Sequence, residues 1–241
     1  MAFLQRALDD QTAAECGRCD RCAGVWFDEG VPEVALQRAG AQLQRTGTEI
    51  EPRAQWPSGM SRLGVPVSGR IDPAERAGTG RAVARLTDLG WGQRLRSVLD
   101  RPDGPAEEAL VRACIGVLRD WGWARRPTGI VVMPSRRHGE LVHTVAASLS
   151  AAGRLPLLGA LDLVEGGPTG EPGGNSAFRL AGVWERLSVG PELAAAVAAS
   201  DGPLLLVDDL VDSRWTFTVA VRELRRAGAD EVLPFALAQA G

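Results

Sequence analysis

At 241 residues, 45% of them hydrophobic, the chain can form one large domain or two small ones around a real core. No run of 18 apolar residues exists, and the N-terminus lacks a basic stretch followed by an apolar one. A membrane span and a signal peptide are therefore not expected, and the compartment expected is cytoplasmic.

The net charge of −3 conceals a division along the chain. Residues 1–43 carry 4 Arg against 7 acids, residues 44–126 carry 14 Arg against 10 acids, and residues 127–241 carry 9 Arg against 13. The middle is thus basic, at +4. Every basic residue is Arg, which points first to a GC-rich coding bias and only second to the bidentate phosphate contacts that Arg makes well.

Residues 3–14, FLQRALDDQTAA, read as a short helix, followed by the knuckle CGRCDRC and a second short helix near 32–44. Cys16, Cys19 and Cys22 have C-x₂-C-x₂-C spacing, which lets three thiolates converge on one tetrahedral Zn²⁺. An iron–sulfur cluster needs a fourth sulfur and a dedicated fold, so zinc is favoured. Cys114, in the apolar run ALVRACIGVL, reads as a small buried hydrophobe.

The middle opens with EIEPRAQWPSGMSRLGVPVSGRIDP, Pro- and Gly-rich with strand-like pieces, and continues into helical periodicity across 73–101 and 106–121. Its basic excess marks Arg53, Arg62, Arg70, Arg81 and Arg85 as candidates for nucleic-acid backbone contacts, with a solvated helix face as the alternative. Trp56, set among Pro and Gly, is expected to be exposed and able to stack on a base, although core packing is the commoner fate of a Trp.

From residue 127 onward strands and helices alternate. GIVVMP (129–134), a helix near 139–153, LPLLGAL (155–161), helices near 179–187 and 191–199, PLLLVDD, a helix over 216–228 and EVLPFAL (231–237) make a parallel-sheet pattern. The loop VEGGPTGEPGGNSA, which contains Asn175 and Ser176, reads as a lid or a connection. His138 and His143, about one and a half turns apart, read as ordinary surface or half-buried histidines. Trp121 and Trp123 read as a helix-end cap and boundary packing. The fold class expected is α/β, a parallel-sheet domain (127–241) preceded by a small helix and knuckle (1–43) and a mixed α+β connecting segment (44–126).

FLQRALDDQTAAECGRCDRC resembles the helix and tail of the zinc-binding module of RecQ-family DNA helicases. Cys16, Cys19 and Cys22 match its terminal C-G-x-C-D-x-C. The family's first cysteine would fall just before residue 1, so the resemblance implies a fragment that begins inside the zinc module, with the fourth zinc ligand and both ATPase motor domains upstream.

LLLVDDLVDSRWT resembles the PRPP-binding signature of type I phosphoribosyltransferases. The resemblance implies ribose-hydroxyl contacts at Asp208 and Asp209, a loop acid at Asp212, and 5′-phosphate contacts at Ser213 and Thr216. Family loops carry small residues where this chain has Arg214 and Trp215, and a phosphate wrapped by backbone N–H groups needs that close approach. VVMPSRRHGELVHTVAASLSAAGRLPLL resembles the pyrophosphate-loop region of the same family, with Ser135, Arg136 and Arg137 at the anion position.

Together the resemblances imply the C-terminal accessory region of an ATP-dependent 3′–5′ RecQ-like helicase acting in DNA repair. Its partners would be DNA and the upstream motors, which use ATP and Mg²⁺; the chain itself has no Walker-type motif and is expected to be a monomer. The sheet domain would be a non-catalytic phosphoribosyltransferase-like module, its site open to Mg²⁺ with PRPP or to phosphate. The alternatives are a working PRPP-dependent transferase and a protein-interaction module.

Overall fold

The computed structural model describes residues 2–24, 30–167 and 174–241 and divides into two compact units, Met1–Leu43 and Gln44–Gly241. In the first, α1 (Ala2–Ala7), α2 (Asp20–Ala23) and α3 (Glu33–Leu43) bury none of their described residues. The helix expected over 3–14 stops at Ala7, where Asp9 and Gln11 lead into turns and Asp10 accepts from the Thr12 amide at 2.8 Å. Asp and Thr compete with the helix ladder in this way.

The second unit is an α/β layer structure. Its six-stranded sheet runs β1 (Thr48–Ile50), β2 (Gly80–Arg85), β8 (Glu231–Gln239), β7 (Pro203–Val211), β3 (Gly129–Val132), β4 (Leu157–Ala160). Only the β1–β2 pair is antiparallel. A separate antiparallel pair joins β5 (Asp162–Leu163) to β6 (Leu187–Ser188). Strands β3, β7 and β8 are near-continuous buried runs, largely apolar, because helices cover both faces of a parallel sheet.

Successive side chains divide between those faces. Leu205, Val207 and Ile130 pack with α4 (Trp91–Leu99), α5 (Glu108–Arg119) and α6 (Gly139–Gly153). Leu204, Leu206 and Val131 pack with α8 (Pro191–Ala198) and α9 (Trp215–Arg226). A third cluster joins Trp56, Met60, Ile71, Trp184, Trp215 and Leu180 of α7 (Ser176–Ala181). Gly80 has a close-approach role: a Cβ there would lie 2.5 Å from the Pro234 carbonyl oxygen of the neighbouring strand.

Two expectations for the middle segment are corrected. The helical stretch read over 73–101 contains a 3₁₀ turn at Pro73–Glu75 and then β2, and helix returns only at Trp91. There is also no structural break near residue 126, because β2 lies between β1 and β8 of the same sheet. Burial of Ala82, Val83 and Ala84 against distant partners overrides the helical propensity of GRAVAR. Among the described residues no helix is long and apolar enough to cross a membrane.

Candidate functional site

Strand β3 runs through α6 to β4 on one side of the sheet, whereas the adjacent β7 runs through α9 to β8 on the other. The two parallel strands β3 and β7 are thus connected outward in opposite directions across the sheet, and the crevice at the carboxyl ends of strands at such a switch point is where ligands of open α/β sheets bind. The segments entering it are residues 134–139 after β3 and residues 208–215 at the end of β7.

Asp208 and Asp209 both reach this edge, within β7 rather than after it, since the strand continues to Val211. Asp208 is only 6% exposed, and its Oδ1 accepts from the Asp209 amide at 2.9 Å. Burial, and then the charge of Asp209, push its carboxyl well above the ordinary aspartate range.

Asp209 is committed to internal partners. Its Oδ2 accepts from the Ser135 hydroxyl at 2.8 Å and lies 2.7 Å from Nδ1 of His138. Ser135 Oγ in turn accepts from the His138 amide at 3.0 Å. The other imidazole nitrogen, Nε2, faces the Leu99 carbonyl at 3.0 Å, and because a carbonyl only accepts, Nε2 carries a proton.

This corrects the expectation for His138. It is 6% exposed and stands at the N-cap position of α6 without a side-chain capping bond, its ring tied into the acid pair, while His143 is exposed as expected. The pair is hidden in the sequence because the spacing from His138 to His143 suggests one helix, whereas His138 stands at the turn before α6. The signal available was its spacing three residues after Ser135, in a loop following an apolar strand.

The first-turn amides of α6 already hold an acid. Asp103, from the loop after α4, accepts from the Glu140 amide at 2.9 Å and the Leu141 amide at 3.1 Å, and these bonds hold its carboxyl below the usual aspartate range. An incoming anion at this helix end would have to displace it. Arg136 and Arg137 are exposed, with the Arg136 guanidinium beside Gly166.

The loop after β7 is pinned from several sides. Asp212 pairs with Arg179 at 2.6 Å. The Ser213 carbonyl accepts from Nε and an Nη of Arg53, at 3.1 and 2.7 Å, and the Arg53 guanidinium lies 4.5 Å from the Trp215 ring centroid. Burial, and then the charges of Arg214 and Arg179, pull the Arg53 pKa below its ordinary value. Arg214 adopts left-handed backbone (φ 69°) and donates to the Glu51 carbonyl at 3.2 Å. Thr216 stands half-buried in the first turn of α9.

Trp215 points into the third cluster, 1% exposed, stacked on Trp56 at 6.0 Å and donating to Ser176 Oγ at 2.9 Å. Neither Arg53 nor Trp56 is therefore an open nucleic-acid contact. Trp56 is 9% exposed, since the Pro/Gly segment around it folds over α9 and α7 and turns the indole inward. Arg62, Arg70 and Arg85 are exposed, and Arg81 pairs with Glu49 at 2.7 Å. Asn175 caps α7, while residues 168–173 of the expected lid lie outside the described residues.

In the Met1–Leu43 unit, the Sγ atoms of Cys16, Cys19 and Cys22 all lie within 4.8 Å of one another, with Cys16–Cys22 at 3.9 Å and Cys19–Cys22 at 3.4 Å. A tetrahedral site with Zn–S bonds of about 2.3 Å spaces its sulfurs about 3.8 Å apart, so the three cysteines can hold a metal ion such as zinc. Hydrogen bonding from Cys22 lowers the Cys19 thiol to about 7, toward the thiolate form a metal needs. Cys114 is fully buried and takes no part; burial pushes its thiol far up.

Comparison with protein-family models finds no match, and comparison with curated proteins finds no relative.

Proposed function

We propose that the chain is an accessory region of a RecQ-like ATP-dependent DNA helicase, in which a zinc knuckle and a non-catalytic phosphoribosyltransferase-like domain serve structure and DNA binding. The observation that carries the non-catalytic reading is the internal commitment of the loop after β7. A working transferase presents two acids to ribose hydroxyls and a small-residue loop to a phosphate. Here Asp209 serves Ser135 and His138, Arg53 holds the Ser213 carbonyl, and Trp215 is anchored in the core.

A second reading, a working PRPP-dependent transferase, is favoured by one feature. Burying Asp208 beside a second acid costs stability, and such pairs at a switch-point crevice are commonly kept for chemistry. Calorimetric titration with Mg²⁺-PRPP separates the two: no binding heat supports the retired site, and saturable binding lost in Asp208→Asn restores the transferase. DNA binding by the chain at low salt tests the accessory role, and its absence would remove it.

A further inference from the structure

A groove of about 860 Å³ runs along the β1–β2 margin of the sheet, between that margin and the helices α4 and α5. It is far from the β3–β7 crevice in the sheet order, and nothing in the candidate site uses it. Its walls carry Arg45, Arg81, Arg94, Arg112 and Arg119 against two acids, Glu49 and Asp120, a local charge of +3 in a chain whose net charge is −3.

Three of the five arginines have acid partners. Arg81 pairs with Glu49 at 2.7 Å, Arg119 with Asp120 at 2.8 Å, and Arg112 with Glu108. The last two pairs are widely exposed, where water and salt leave them weak and easily exchanged for a phosphate. Arg45 and Arg94 have no carboxylate partner among the described residues, and Arg94 lies over the half-buried ring of Trp91 at 5.2 Å.

The groove continues. A second cavity of about 390 Å³ shares Glu49 and Arg81 as its wall and extends to Trp123 and Arg125. Trp123 stacks on Trp121 at 4.1 Å and is fixed by an indole bond to the Leu118 carbonyl at 2.8 Å. The track therefore alternates cations with half-buried indoles, from Trp91 and Arg94 past Arg81 to Trp123 and Arg125, although Glu231 also lines this second cavity and Arg125 pairs with the exposed Asp230.

We propose that this track binds the phosphate backbone of single-stranded nucleic acid, with Trp91 and Trp123 offering ring faces to unpaired bases. The proposal rests on the accessory DNA-binding reading and gives it a location. Arginines supply the sequence-independent attraction, and aromatic rings favour a single strand because a duplex keeps its base faces stacked inside. The groove also explains why the basic excess of residues 44–126 does not gather around Arg53 and Trp56, which are used internally.

The test is fluorescence anisotropy of the full chain with a labelled oligo-dT strand across a salt series. Wild-type affinity should fall with a log–log slope of about −2 or steeper, since each single-strand phosphate contributes roughly −0.7. The combined variant Arg45→Gln, Arg94→Gln, Arg112→Gln should weaken binding at least tenfold and flatten that slope. Arg38→Gln with Arg154→Gln, exposed arginines outside the track and outside every candidate contact, should leave both unchanged. Circular dichroism confirms that each variant is folded, and Trp91→Leu, which keeps every charge, should weaken binding several-fold. Retained binding in the triple variant overturns the groove while leaving the accessory reading in place. No binding by the wild type at low salt overturns both, and equal affinity for a duplex of the same length overturns the single-strand assignment.

Discussion

Truncating Trp215 to alanine tests whether the ring that replaces a small loop residue is a structural anchor. The side chain is 1% exposed, meets Trp56 in a stacked pair, donates to Ser176 Oγ and lies under the Arg53 guanidinium. Loss of a fully buried Trp costs about 3–5 kcal/mol, from lost transfer free energy and the cavity left behind. Against a total stability of about 5–15 kcal/mol that is a large fraction. In a unit of this size it lowers the melting temperature by roughly 6–20 °C. Urea unfolding followed by circular dichroism gives the free energy directly. A double-mutant cycle with Trp56→Ala should return a coupling of about 0.5–1.5 kcal/mol for the stacked pair. A loss below about 1 kcal/mol at Trp215, or additivity with Trp56, would mean that the ring does not hold the loop in the core.

Asp208 predicts a pH dependence. Its folded pKa lies above the unfolded value near 3.8, so the folded state keeps a proton that the unfolded state releases. Its contribution is fully present below pH 3.8 and is lost as pH rises from there through the raised folded pKa. Asp208→Asn should therefore be more stable than wild type at pH 7, with the difference vanishing near pH 3, as measured by chemical unfolding across pH. For the cysteines, iodoacetamide applied to the native protein should label Cys19 first and leave Cys114 unlabelled. Zinc should protect Cys16, Cys19 and Cys22 together, and protection that survives Cys19→Ser would remove that residue from the metal site.

Much of the sheet was legible because its central strands are locally unmistakable. GIVV, PLLLVDD and EVLPFAL are apolar runs bounded by turn residues, and α6 falls on its expected residues, 139–153. GRAVAR was not legible: its alanines favour helix in isolation, and only pairing with β1 and β8 makes it a strand. The acid pair was legible as a strand-end motif, but its state was not. The His138–Asp209 contact spans 71 positions and the Arg53–Ser213 contact 160, and no local pattern encodes partners at such separations. Trp56 illustrates the same limit. Its Pro- and Gly-rich neighbours correctly mark irregular chain, yet irregular chain can still close over a core when Trp184 and Trp215 wait beneath it.

The most direct measurement is pyrophosphate release from PRPP with Mg²⁺ across a panel of nucleobases, wild type against the Asp208→Asn, Asp209→Asn double variant. A loop held by Arg53, Arg179 and Trp215, beside an acid already spent on His138, should give no release above background in either protein. Turnover by the wild type that the double variant abolishes would contradict this and establish the crevice as a working transferase site.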